Sequence, residues 1–202
     1  MKFAVFWEPG ETIRVFVQEW KDRVGAVDPD APYLSHPVHS TLYLMETARV
    51  EAALVTLRHV ASSLEPMVVA LEQWRVFRAD PATGGDTLTI TLRSSGGLYD
   101  LQMAIARGLS PLRARSADKV DTWHGEPRLS VESFGFPFVG PHWIPHVTIA
   151  SLRGNPQDLV AKALATHPPA IQDRLDSLSA YQVEGDNHFR IGQYCLGGPS
   201  AH

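Results

Sequence analysis

Hydrophobic and polar positions alternate in blocks along the chain, and the period of each block predicts its secondary structure. The stretch at residues 2–7 is rich in strand formers and ends at Pro9-Gly10. The next apolar positions recur three and four residues apart, which predicts a helix over residues 12–24 with one apolar face. Those positions are Ile13, Phe16, Val17, Trp20 and Val24.

The same periods predict three more helices and six more strands. The helices cover residues 46–64, 98–109 and 156–165. The strands cover residues 38–44, 67–77, 86–93, 144–152, 178–184 and 188–196. Because strands, hairpins and helices are mixed along the chain, the order favours an α+β fold with antiparallel sheets.

One predicted strand and one long segment stand out from this pattern. In the strand at residues 86–93, leucine and isoleucine alternate with threonine, and the turn residues before it favour a hairpin with the strand at 67–77. Residues 113–143 are the least regular part of the chain. Irregular segments of that length inside a compact domain are often functional.

Composition narrows the classes of function. The chain has 202 residues, of which 44% are hydrophobic and 20% charged, and a net charge of −4. A non-specific polyanion binder would usually be basic, so we expect no DNA partner. Cys195 is the single cysteine, which excludes an internal disulfide framework and a multi-cysteine metal site. The first apolar run is too short for a signal peptide, and no stretch approaches about 18 apolar residues, so we expect a cytoplasmic monomer without a membrane span.

A four-residue motif, His-x-Thr-apolar, occurs twice. It is found at residues 39–42 (His39-Ser40-Thr41-Leu42) and again at residues 146–149 (His146-Val147-Thr148-Ile149). Each copy lies in a predicted strand that is followed by a helix. Side chains two residues apart in a strand point to the same face, so each histidine should project beside its threonine.

Two such pairs fit phosphodiester cleavage. Histidine can hold or release a proton near neutral pH, so one imidazole can take a proton while the other protonates a leaving oxygen. The threonine hydroxyls can donate hydrogen bonds to the non-bridging phosphate oxygens and stabilise the charge of the transition state. The residues alone do not tell which histidine is the base and which is the acid.

The two motifs, the N-terminal strand and the closing hairpin resemble the 2H phosphoesterase superfamily, which includes 2′-5′ RNA ligase-like proteins and 2′,3′-cyclic nucleotide phosphodiesterases. The resemblance implies one bilobal, pseudo-twofold domain over residues 1–202, with antiparallel sheets facing a central cleft and helices outside. It implies His39 and His146 as the catalytic pair and Thr41 and Thr148 as phosphate-binding residues. Members of the family act on 2′,3′-cyclic phosphates or 2′-5′ linkages without a metal. We therefore expect a nucleotide or RNA terminus as substrate and no cofactor.

Three aromatic residues are candidates for substrate binding. Tyr43 continues the first motif strand two residues after Thr41, which predicts that it borders the cleft. Phe138 and Trp143 lie shortly before the second motif and are suited to stacking on a nucleobase. Packing in the core is the alternative for each of them.

Three alternative functions stay open from the sequence. The segment at residues 134–139 (Phe134-Gly135-Phe136-Pro137-Phe138-Val139) is similar to a branch of the family linked to phosphonate metabolism, which implies a small sugar phosphate as substrate. A non-catalytic module that binds RNA or a nucleotide would keep the cleft without turnover. A metallohydrolase would use four histidines whose spacing resembles that of metal ligands. These are His36, His39, His142 and His146.

Overall fold

The computed structural model describes residues 1–80, 82–94, 97–114, 123–152 and 157–198. Eight strands and five α-helices are mixed along this described part of the chain. The strands are β1 (Lys2–Trp7), β2 (Ser40–Glu46), β3 (Met67–Phe77), β4 (Asp86–Ser94), β5 (His146–Leu152), β6 (Gln172–Leu175), β7 (Ser177–Glu184) and β8 (Asn187–Cys195). The helices are α1 (Glu11–Gly25), α2 (Val50–Ser62), α3 (Leu98–Leu109), α4 (Gly125–Phe134) and α5 (Gln157–Leu164).

The strands form two antiparallel sheets, which confirms the predicted fold class. Sheet A has the order β2-β1-β7-β8, and sheet B has the order β5-β4-β3-β6. The predicted hairpin between β3 and β4 is present. The two motif strands, β2 and β5, lie at an edge of their own sheets and contact each other.

One face of each sheet packs against the helices and forms a continuous hydrophobic core. The predicted stripe of α1 supplies Ile13, Val17, Trp20 and Val24, all buried in this core. Fully burying a side chain of this size stabilises the fold by about 1.5–3 kcal/mol. The helices thus cover one side of both sheets.

The opposite side of each sheet is called its open face below, and the two open faces differ in composition. In sheet A the open face carries an apolar cluster that contains no helix residue, formed by Ala4, Phe6, Leu44, Tyr181 and Val183. In sheet B this side carries three buried, hydrogen-bonded threonines of β4 and one partly exposed threonine of β5, namely Thr87, Thr89, Thr91 and Thr148.

The two motif strands repeat the same backbone irregularity. In β2, one extra residue, Leu42, lies between the residues paired with Val5 and Phe6. In β5, Ile149 is the extra residue in the same place, directly after the motif threonine. A bulge of this kind puts two successive side chains on the same side of the strand. The shared bulge and strand order give the pseudo-twofold relation that the family resemblance implies.

The structure differs from the predicted elements in three places. Residues 113–143 contain a helix, α4, whose pattern is weak because Leu129 is 61% exposed. A fourth strand of sheet B, β6, has the polar sequence Gln-Asp-Arg-Leu and was not predicted. Helix α2 begins at Val50 because β2 continues through Glu46, two residues beyond its predicted end.

Candidate active site

His39 and Thr41 lie on the open face of sheet A. His39 immediately precedes β2, and its ring stacks on that of Phe6 at a centroid distance of 3.9 Å. Thr41 is paired with the same Phe6, so its side chain shares that face. The residue between them, Ser40, is buried on the other side. The alternation predicted for the first motif is therefore present.

His146 and Thr148 occupy the corresponding positions of sheet B. They are paired with Thr91 and Thr89, and both side chains project from the open face. The ring of His146 meets Phe77 edge-on at a centroid distance of 5.0 Å. Val147, between the motif residues, is buried in the core. Each motif histidine thus lies beside its threonine and against a phenylalanine.

Both motif histidines are held by the same backbone hydrogen bond. Nδ1 of His39 lies 2.7 Å from the carbonyl oxygen of Pro37, and Nδ1 of His146 lies 2.7 Å from that of Ile144. A carbonyl oxygen can only accept, so Nδ1 carries the proton in both rings. When the ring is neutral, Nε2 therefore bears the lone pair. It has no hydrogen-bond partner among the described residues in either histidine.

Partial burial favours the neutral form of both rings. Desolvation lowers the pKa of His39 to about 3, and the charges of His188, His36 and Lys21 act in the same direction. Burial also lowers the pKa of His146; Arg75 adds to that effect and Asp80 opposes it. Both side chains nevertheless keep part of their surface in contact with solvent. Two neutral imidazoles with free Nε2 atoms are therefore accessible on the open faces.

The hydroxyl groups of the two motif threonines are available to a ligand. Thr41 and Thr148 are partly exposed, and their hydroxyls bond to none of the residues in the described ranges. Thr89, which is paired with Thr148, is different: it is fully buried and donates to the carbonyl oxygen of Arg75 at 3.1 Å. Thr91 likewise donates to the carbonyl oxygen of Gln73. The free hydroxyls are those next to the histidines.

Two buried side chains tie the segment before the second motif to the first motif. The indole nitrogen of Trp143 donates to the carbonyl oxygen of Thr41 at 3.1 Å. The amide of Gln102 donates to the carbonyl oxygens of Leu42 and Phe138, and its oxygen accepts from the backbone of Gly140. These bonds hold the chain leading to β5 against β2, so the motifs, 107 residues apart in sequence, belong to neighbouring edge strands.

The prediction that Tyr43 borders the cleft is wrong. Because Leu42 is an extra residue in β2, Tyr43 is paired with Val5 and points into the helix-covered core instead of following Thr41. Its side chain is fully buried, and its hydroxyl donates to the carbonyl oxygen of Phe134. Burial raises the pKa of this hydroxyl.

The structure separates the other two aromatic candidates. Trp143 is 3% exposed and belongs to the core, so it is not available for stacking on a base; its contribution is the bond to Thr41. Phe138 is 41% exposed and lies edge-on to Trp123 and Phe136. Its role as a substrate-binding residue stays a prediction.

Several residues near the motif histidines had no signal in the sequence. Phe6 and Phe77 are recognisable only once β1 and β3 are placed beside the motif strands. Lys21 is 2% exposed, and its ammonium donates to the carbonyl oxygens of Tyr33, Leu34 and His36 in the loop that leads to His39. A buried lysine that binds three carbonyls fixes the course of that loop. Burial lowers its pKa to about 8.

The metal-ligand alternative gains no support from the described residues. No group of three or more histidine, cysteine, aspartate or glutamate side chains in that part of the chain could hold a metal ion. Nδ1 of His142 lies 3.4 Å from Oε2 of Glu126, and Nε2 of His36 lies 3.3 Å from Oδ1 of Asp186. Two of the four histidines of that hypothesis are therefore engaged in separate local contacts.

Comparisons with known proteins place the chain in a family. The model of the 2′-5′ RNA ligase superfamily matches residues 9–187. No curated protein matches the chain in sequence. Among the residues with described structure, no helix is long and apolar enough to cross a membrane.

Solved structures share the fold at low sequence identity. TT0787 of Thermus thermophilus has a TM-score of 0.68 at 16% identity, over 98% of this chain and 99% of that one. LigT of E. coli in its apo form has a TM-score of 0.55 at 14% identity, over 96% of both chains. Usb1 of Kluyveromyces marxianus has a TM-score of 0.52 at 13% identity, over 94% of this chain and 97% of that one.

Proposed function

Because the chain belongs to the 2′-5′ RNA ligase superfamily, the 2H phosphoesterases, we propose that it is a metal-independent phosphodiesterase. Its substrate is a nucleotide or RNA end, and it opens a 2′,3′-cyclic phosphate or hydrolyses a 2′-5′ linkage. One observation carries this proposal: two partly exposed histidines at the start of duplicated strands leave equivalent Nε2 atoms unbonded by the described residues, each beside an unbonded threonine hydroxyl. In support, the related E. coli LigT has been crystallised with 3′-AMP and with phosphate.

Each of the two imidazoles carries out one proton transfer of the reaction. One neutral ring accepts a proton from water at Nε2 as the water oxygen forms a bond to phosphorus. The bond between phosphorus and a ribose oxygen breaks, and the second ring, in its protonated form, donates its Nε2 proton to that oxygen. Water is consumed, and a cyclic phosphate becomes a phosphate monoester. Thr41 and Thr148 donate to the non-bridging oxygens as negative charge develops there.

We assign the base to His39 and the acid to His146. Burial disfavours the protonated form of His39, and the charges of His188, His36 and Lys21 lower its pKa further. Burial and Arg75 also disfavour the protonated form of His146, but the carboxylate of Asp80 opposes them, and no carboxylate of the described residues acts on His39 in this way. The charge of a bound phosphate stabilises the imidazolium further, so His146 gains its proton in the complex.

A substrate panel assayed in EDTA tests the proposal and its alternatives. We expect turnover of a 2′,3′-cyclic nucleotide or a 2′-5′ dinucleotide, with rates unchanged after removal of metals. Turnover of a sugar cyclic phosphate alone would assign the chain to the sugar phosphate alternative. Loss of activity in EDTA would support a metallohydrolase. Absence of turnover for every substrate would favour the non-catalytic module that binds RNA or a nucleotide.

A better leaving group tests the assignment of acid and base. A p-nitrophenyl phosphodiester needs little protonation of its leaving oxygen, so it depends less on a general acid. His146→Asn should therefore lose less activity on this substrate than on a cyclic nucleotide, whereas His39→Asn should lose equally on both. The reverse pattern would exchange the two roles.

A further inference from the structure

A third histidine, His188, lies on the open face of sheet A beside the first motif. It belongs to β8, where it is paired with Val183, and Val183 is paired with Lys2 of β1. Directly paired residues share a face, so Lys2, Val183 and His188 form one cross-strand row. The ring of His188 lies 5.7 Å from that of His39 and 5.8 Å from that of Phe6.

The ring of His188 is held in the same way as those of the motif histidines. Its Nδ1 lies 2.9 Å from the carbonyl oxygen of Asp186, two residues earlier in the chain, and therefore donates to it. Its Nε2 bonds to no described residue. The side chain is partly exposed, so this nitrogen can reach a ligand. Packing of the sheet alone would not require a free ring nitrogen next to His39.

The charges around His188 favour an anion. Lys2 is exposed, and its cross-strand partner in β2 is Glu46, on the side of Lys2 away from His188. Lys2 stands in the same cross-strand row as His188, and burial together with the Lys2 ammonium lowers the pKa of His188. One oxygen of the Asp186 carboxylate lies 3.3 Å from Nε2 of His36, whose ring lies 4.4 Å from that of His188.

We propose that His188 and Lys2 form a second anion-binding subsite beside His39. Its ligand is a second phosphate group of the substrate, the 5′-phosphate of a nucleotide or the next backbone phosphate of an RNA end. The inference rests on the proposed function, since it presumes a first phosphate at the motif histidines. It makes a nucleoside cyclic phosphate without a second phosphate a poorer ligand.

Protonation strengthens this subsite. The titratable and charged groups around His188 are Lys2, Lys21, Asp186, His36, His39 and Tyr181, with Arg190 two positions along the same face of β8 and bonded to Glu8. Lys2 and Lys21 disfavour its protonated form, Asp186 favours it, and a bound phosphate adds negative charge that favours it more. Affinity for the second phosphate should therefore increase as the pH falls from 8 to 6.

Binding of two nucleotides that differ by one phosphate tests the subsite without turnover. Calorimetry would compare adenosine 3′-phosphate with adenosine 3′,5′-bisphosphate in the wild type, His188→Asn and Lys2→Gln. Charge-assisted hydrogen bonds to phosphate are strong enough to give the wild type a preference of at least about tenfold for the bisphosphate. We expect each variant to reduce that preference to about threefold or less while keeping its affinity for adenosine 3′-phosphate.

His59→Asn is the matched control, because His59 is exposed on α2, against the other side of sheet A. It should keep the full preference. Equal affinity of the wild type for both nucleotides would overturn the subsite, and so would an equal loss of preference in His59→Asn. If His188→Asn fails to fold, the exposed Lys2→Gln decides alone. Failure of the substrate panel would count against the proposed function, whereas failure of this binding test counts against the subsite.

Discussion

The two halves of the candidate active site have the same backbone but different chemistry around it. In each half an edge strand carries histidine, threonine and a bulge, and the histidine ring is held by a carbonyl two residues earlier. Beside Thr41, however, the neighbouring strand places Phe6, and beside Thr148 it places Thr89. The proposed function assigns the shared histidine and threonine of each half to the phosphate. The two halves therefore differ in the side chain packed beside the motif threonine, which is an aromatic ring in sheet A and a buried, hydrogen-bonded threonine in sheet B.

The largest expected effect on activity comes from replacing the motif histidines, which both halves share. His39→Asn and His146→Asn keep a group that can donate to the carbonyl oxygen but remove Nε2. General acid–base catalysis contributes about 10²–10⁴-fold, so each variant should lose about that factor in kcat. The double variant should be little worse than either single one, because the pair acts as a unit. Steady-state kinetics on a 2′,3′-cyclic nucleotide measure this, with His59→Asn as control. Near-full activity of either single variant would refute the pairing.

Removing a threonine hydroxyl should have the next largest effect. Thr41→Val and Thr148→Val delete a donor to the phosphate without changing the size of the side chain, and loss of one such donor costs about 10²–10³-fold in kcat. The matched control is Thr89→Val, whose hydroxyl already bonds to Arg75. It should keep its kcat and lose about 1–2 kcal/mol of stability in urea unfolding. If Thr89→Val lost as much activity as Thr148→Val, the distinction between free and bonded hydroxyls would fail.

The pH dependence of the reaction rate reports the pKa values of His39 and His146. Since burial lowers the pKa of both His39 and His146, the bell-shaped profile of kcat/KM, which reflects the free enzyme, should have its maximum below about pH 6.5. A bound phosphate favours the imidazolium, so the profile of kcat should be displaced to higher pH. Rates measured from pH 4 to 9 test both statements. A kcat/KM maximum well above pH 7 would contradict the effect of burial.

The smallest expected effect distinguishes the phenylalanines behind the two histidines. Phe6 is 2% exposed and stacks on His39, whereas Phe77 is only partly buried and meets His146 edge-on. Phe6→Leu should therefore destabilise the fold by about 1–2 kcal/mol, and Phe77→Leu by less than about 1 kcal/mol. Urea unfolding measures both changes. If both variants lost the same free energy of unfolding, the two phenylalanines would contribute equally and the contrast between the two halves would fail.

The sequence predicted the duplicated part of the site better than the part that differs. Period-two alternation predicted that His39 would share a face with Thr41, and His146 with Thr148, because this depends only on local strand geometry. The same alternation failed for Tyr43, because the extra residue in β2 shifts every later side chain to the other face. A bulge has no marker in a run of apolar residues.

Contacts between distant strands could not be predicted from the sequence. His188 approaches His39 only because β7 and β8 pair in one register next to β1. The bond from Trp143 to Thr41 likewise depends on how the edges of the two sheets meet. Among the elements, β6 is four residues long and mostly polar, and α4 exposes Leu129, so neither has the periodic pattern that predicts an element.

A crystal structure of the protein soaked with inorganic phosphate tests the central claim most directly. We expect one anion that accepts hydrogen bonds from Nε2 of both His39 and His146 and from the hydroxyls of Thr41 and Thr148. A phosphate held by one motif only, or two phosphates each on a separate histidine, would contradict the account.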